Sequence, residues 1–354
     1  PLEVARIYTP SGCVEPDIAH HTDGWHAPAF FNLAKVMELT MNNGRNNGRQ
    51  VGPATGEITT FTCIEDFIEA YHKQLSYFVR QLVDNLNCID FAFAEKAPLS
   101  FQSALIEDCI ARGKSVQEGG AVYNFTGPQG IAVADAGDCL YAIQKNVFED
   151  KKITLAQLKD ALDHNFGQRV ITGGASAAAE PSTQPRSCLD AAAAQASSAQ
   201  LLDVVRAVLN GAAPSSAASG STASYADIQS LLDSTPSYGN DNNDADYYAA
   251  LVARLYCEEM AKYRNPRGGQ FQAALFPVSS NVVYGYDVGA LPDGRSAGRP
   301  LADGVSPRAG KDVHGPTAAA NSVSKLDHAL ASNGTLYNVK FLPSALAGDK
   351  GILN

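Results

Sequence analysis

The chain has 354 residues, 45% of them hydrophobic and 18% charged, which excludes a disordered polymer, a collagen-like fibre and a disulfide-stapled miniprotein, and leaves room for one large α/β domain or two smaller ones. A formal net charge of −10, with no Lys/Arg stripe, excludes nucleic-acid binding through the phosphates. The seven cysteines have no C-x-x-C spacing, which argues for free thiols in a reducing, cytoplasmic setting, and no apolar run reaches the roughly 18 residues of a membrane span.

Pro1 stands where an initiator Met would be, so a piece of a longer chain is expected, an organelle stays open, and Pro1 itself reads as a strand entry. A short extended segment leads to Gly12 and Pro16, which bracket a tight loop. Phe31, Leu33, Val36, Met37, Leu39 and Thr40 keep helical spacing until Asn43-Gly44. The spacing predicts a longer helix over 64–86, with Thr62 as cap and Glu65 in capping-box position. Further helices are expected over 98–112, 135–147 and 154–166, with a buried strand over 122–125.

Residues 167–224 are rich in Ala, Ser, Gly and Pro, and read as a mobile insertion between two parts of one domain, 1–166 and 225–354. Helices over 225–232 and 246–263 follow, then an Arg267-Gly268-Gly269 turn and a strand-like run over 271–286. A long loop over 291–313 precedes a stretch starting at 322 and a strand over 335–341. Helices alternating with strands give an α/β class.

Cys13 and Glu15 are the most informative pair. In extended backbone, residues two apart share a face, which would put a thiol beside a carboxylate able to move a proton. The same spacing also describes a buried cysteine next to a solvated glutamate. His20, His21 and His26 add zinc-compatible side chains, but no His pair has helical i, i+4 spacing, so no metal is expected. The run 241–246 lacks the Gly and the final Glu of a calcium loop, and Asp244 and Asp246 better serve a helix start.

The segment Gly12-Cys13-Val14-Glu15-Pro16, followed by Gly24-Trp25-His26, resembles the cysteine loop of glycyl radical enzymes, the relatives of pyruvate formate-lyase. Within that family the chain is most similar to the cobalamin-independent glycerol and diol dehydratases. The blocks at 123–130, 263–269, 292–295, 304–307, 321–327 and 333–336 extend the resemblance over nearly the whole chain outside the insertion. The resemblance implies part of a ten-stranded barrel, two antiparallel five-stranded halves surrounded by helices. It also implies a Cys13 thiyl that takes hydrogen from substrate carbon, with Glu15 exchanging a proton, in a lyase that eliminates water from a small polyol.

No bound cofactor or metal is implied. The radical would reside on a glycine outside this chain, installed by an S-adenosylmethionine-dependent activase, so the chain alone is expected to lack the radical-glycine segment and to be inactive. Small-molecule substrate and activase are the expected partners, with a homodimer as a further option and neither nucleic acid nor membrane. Two departures fall on the implied pocket wall: Ala27 stands where diol dehydratases carry Asp, and Phe276 where they carry Tyr. They leave open a lyase that cleaves C–N, C–S or C–C bonds, formate acetyltransferase-like chemistry included, or a non-catalytic scaffold of the same fold.

Overall fold

The computed structural model describes residues 2–168 and 223–340. The Ala/Ser-rich insertion therefore lies outside the described residues, apart from its first two and last two positions. Four helices make the core: Leu33–Met41, Ile64–Lys96, Val133–Ile143 and Asn243–Ala261. Leu33, Met37, Phe67, Tyr71, Leu75 and Val252 are fully enclosed there. The Val133–Ile143 helix is buried at every position, as an element wrapped on all sides must be. It approaches Asn243–Ala261 backbone to backbone at Gly137, where a Cβ would sit 2.6 Å from Ala249 Cα.

Against this helical layer lie extended segments at 22–32, 123–131, 271–275 and 335, neighbours in that order and all parallel. Phe30–Asn32 pairs with Gln129–Ile131, and isolated bridges join Thr22 to Tyr123, Trp25 to Thr126, Thr126 to Phe271, Gln129 to Ala274 and Leu275 to Thr335. Paired residues in a parallel register share a face. Phe31, Gly130 and Leu275 thus point to the helices. Phe31 stacks on Tyr256 at 5.3 Å, and the Tyr256 hydroxyl donates to Pro128 O at 3.0 Å. Phe30, Gln129 and Ala274 occupy the opposite face, with Phe276 in phase by alternation.

The described residues show four parallel segments with short ladders beside two antiparallel hairpins, and do not by themselves establish the ten-stranded barrel. Other expectations are corrected. The N-terminal stretch begins with a helical turn, Leu2–Arg6, before the hairpin. The long helix runs on to Lys96, and its cap is Cys63 with Asp66, not Thr62 with Glu65. Residues 98–112 form two short helices, Ser100–Leu105 and Cys109–Arg112, split where Asp108 takes a left-handed conformation (φ 70°). The run 271–286 stays extended only at its start and then forms the helix Ser280–Gly285. At the C-terminal end, the part of the expected strand over 335–341 that lies among the described residues, 335–340, makes one bridge, at Thr335.

Candidate active site

Tyr8–Ser11 and Glu15–Ile18 form an antiparallel hairpin, with Ser11 opposite Glu15 and Gly12-Cys13-Val14 as its tip. Gly12 has φ +57°, and a Cβ there would lie 2.6 Å from Glu15 Oε1, so glycine is what lets the carboxylate fold under the tip. Glu15 Oε2 accepts from the amides of Cys13 (2.6 Å) and Val14 (2.8 Å). Oε1 has no hydrogen-bond partner among the described residues. Cys13 is exposed as a free thiol while Glu15 is buried. Both residues belong to this tip, but the carboxylate folds onto the backbone amides; Cys13 sits in a turn, so strand alternation does not set its direction.

His26 follows on the segment paired with Thr126. Its Nδ1 lies 3.0 Å from Asn333 Oδ1, and its ring packs edge-on against Phe125 at 4.8 Å. His21 is turned elsewhere: Nδ1 meets Ala19 O and Nε2 lies 3.2 Å from Glu107. Among the described residues, no three His, Cys, Asp or Glu side chains come together as a metal site. Asp241 and Asp246 instead bind the Lys325 ammonium, while Asn242 caps the helix. Ala27 is exposed and Phe276 is fully buried.

Sequence reasoning assigned no role to the groups that lock these segments together. Arg267, with its side chain 3% exposed, donates to Asp23 O (2.7 Å) and Phe125 O (2.8 Å), and its Nε lies 3.2 Å from Asp90 Oδ1. Burial holds the Asp23 and Asp90 carboxyls above the usual carboxylate range, against the pull of Arg267. Asn265 Nδ2 donates to Asn124 O at 2.6 Å and Thr126 Oγ1 at 2.7 Å. A Cβ on Gly269 would fall 2.0 Å from Asn124 O. The Gly-Gly turn was the available signal, because close backbone approach is one reason a chain spends glycines. A cleft of about 410 Å³ opens beside the hairpin, between Tyr8, Pro16 and Ile18 on one side and Tyr123 and Gln272 on the other.

The pyruvate formate lyase-like family model matches residues 1–285, and the glycine radical family model matches 301–354. The second match overturns the expectation that the chain lacks the glycine radical segment, and removes that ground for calling it inactive. The chain is 32% identical to (2S)-3-sulfopropanediol dehydratase of Klebsiella oxytoca, over 99% of this chain and 37% of that one. It is 30% identical to trans-4-hydroxy-L-proline dehydratase of Clostridioides difficile, over 100% of this chain and 38% of that one. The glycerol-bound structure of the B12-independent glycerol dehydratase from Clostridium butyricum superposes with a TM-score of 0.82 at 44% identity, again over 100% of this chain and 38% of that chain. The chain thus spans less than two fifths of the length of these relatives. Family match, relatives and the thiol–carboxylate hairpin agree that the chain belongs to the pyruvate formate lyase-like family of glycyl radical enzymes.

Proposed function

We propose that this chain supplies the thiol and the proton-transfer group of a glycyl radical lyase acting on a small hydroxylated molecule, with loss of water. The observation that carries the reading is the hairpin tip, where the buried Glu15 carboxylate accepts from the backbone amides of Cys13 and Val14 and the Cys13 thiol is free and exposed. The names of the relatives support the substrate class, since sulfopropanediol, hydroxyproline and glycerol all carry hydroxyl groups.

A glycyl radical would take the hydrogen atom from the Cys13 thiol. The Cys13 thiyl then accepts a hydrogen atom from substrate carbon and later returns it to the product carbon, which leaves the thiyl again; the thiol is regenerated when that thiyl takes a hydrogen atom back from the glycine. Glu15 takes or gives the proton that balances departure of the hydroxyl as water. A dry surround is required, because water and oxygen would quench the radical.

The test is the full-length enzyme activated anoxically by its S-adenosylmethionine-dependent activase. A glycine-centred electron paramagnetic resonance doublet is expected in wild type and in Cys13→Ser, with turnover lost by at least 1000-fold in the variant. Glu15→Gln should lose about 100-fold or more in kcat, in line with the removal of a general acid–base group. Turnover by Cys13→Ser would end the reading.

A second reading keeps the scaffold and changes the bond cleaved. Ala27 and Phe276 motivate it, since neither offers a polar atom to hold a substrate hydroxyl, and a site without such groups discriminates poorly for one. An anaerobic panel of diols, amino alcohols and sulfonates separates the two, and robust dehydration of glycerol or propanediol would dismiss the second.

A further inference from the structure

Asn333 and Gly334 lie in the stretch matched by the glycine radical family, yet they touch both the cysteine hairpin and the Trp25-His26 segment. The turn is firmly seated: Asn333 N donates to Ala273 O at 3.0 Å, and Leu275 N donates to Gly334 O at 2.9 Å. Asn333 is fully enclosed. Its Nδ2 donates to two carbonyls, His26 O at 2.8 Å and Gly127 O at 3.0 Å. Carbonyl oxygens only accept, so this end of the amide is the NH₂ and the other is the oxygen.

That oxygen lies 3.0 Å from His26 Nδ1. An oxygen acceptor there requires a hydrogen on Nδ1, and in the neutral ring this leaves the lone pair on Nε2. Phe125, edge-on at 4.8 Å, fixes the plane of the ring. Gly334, at φ +107°, presses on the hairpin tip, where a Cβ would stand 2.7 Å from Val14 O.

We propose that Asn333 is a positioning residue: it holds His26 as the Nδ1–H tautomer, so that Nε2 is a hydrogen-bond acceptor for a hydroxyl-bearing substrate, while Gly334 seats Val14 and with it the Cys13 tip. The tautomer stands on geometry alone; the role toward substrate rests on the thiol–carboxylate reading above.

Nitrogen-15 NMR of the histidine-labelled chain at pH 8, with His26→Gln to assign the signal, reads the tautomer directly. Wild type and Asn333→Asp, which keeps an oxygen at Nδ1, are expected to show Nδ1–H. Asn333→Ala should shift His26 toward Nε2–H. An Nε2–H ring in wild type overturns the proposal, whether or not any variant folds.

In the activated full-length enzyme, Asn333→Ala should leave the radical signal unchanged and lower kcat/KM at least tenfold, mostly through KM, with Asn333→Asp recovering most of the loss. Unchanged kcat/KM in Asn333→Ala, alongside turnover that still needs Cys13, overturns the substrate role and spares the Cys13 reading. Turnover that survives Cys13→Ser instead removes that reading and the substrate role together, leaving the tautomer as the NMR found it.

Discussion

Gln129 is fully enclosed on the strand that pairs with both Phe30 and Ala274, and neither end of its amide finds a hydrogen-bond partner among the described residues. Burying a polar group unpaired costs about 1–3 kcal/mol. Gln129→Met, close in volume and without that cost, should raise the unfolding free energy by about 1–2 kcal/mol, read as a higher urea midpoint at unchanged slope. Asp135 carries a related burden with a pH signature. Burial, and then the nearby Asp293, push its carboxyl from 3.8 up to about 6. The folded chain therefore keeps that proton to a higher pH than the unfolded chain does. Stability at this site should fall as pH rises from 3.8 through about 6. Asp135→Asn should flatten that slope in urea titrations and gain at most about 3 kcal/mol at pH 7. Cys13 and Glu15 stand out in the sequence because Gly12-Cys13-Val14-Glu15-Pro16 resembles the glycyl radical enzyme cysteine loop; their spacing alone also fits a buried cysteine beside a solvated glutamate. Asn333 was not legible there, because its partner His26 is 307 residues away and no local pattern reports such a contact. Arg267 hid for the same reason, reaching 244 residues back to Asp23.

Helices were read from periodicity, and the reading ended where the periodicity did. The apolar stripe of Ile64–Lys96 fades after Leu86, and Phe91 and Phe93 are exposed, so nothing in the pattern required the last turns. Propensity carries them instead, since Ala, Glu and Lys are good helix formers. The strand-like run over 271–286 is cut short after Pro277, where Ser280–Gly285 closes into a short helix. Helix crossings carry their own prediction. Gly137 lets the backbones of Val133–Ile143 and Asn243–Ala261 touch, and any Cβ there meets Ala249 N at 2.7 Å. Gly137→Ala, which would stabilise an isolated helix, should here cost about 1–3 kcal/mol by overpacking. Ala249→Gly should restore part of the loss in the double variant, checked by thermal melts of all four combinations.

At the level of the whole chain, the α/β class was legible but the strand connectivity was not. Parallel neighbours drawn from 22–32, 123–131, 271–275 and 335 lie far apart in sequence, and many of their bridges are single pairs. Short ladders leave little alternation to read. The cysteines give a molecule-wide check of the packing. Cys13 and Cys88 are exposed, whereas Cys109, Cys139 and Cys257 are buried. Burial pushes the Cys139 thiol up, and raises Cys257 to about 12. Native-state alkylation followed by mass spectrometry should label Cys13 and Cys88 well before Cys139 and Cys257, which it should reach only under denaturant. Early labelling of Cys139 would contradict the enclosed helix layer.

The division of labour between the two oxygens of Glu15 has a directional consequence. One is already claimed by the amides of Cys13 and Val14, so in the proposed role a proton exchanged with a bound molecule would travel through the other. The trajectory of that transfer would then be dictated by how the turn is knotted, and a reactant would be served from one side only. Shifting the turn would re-aim the carboxylate without altering a single reacting group.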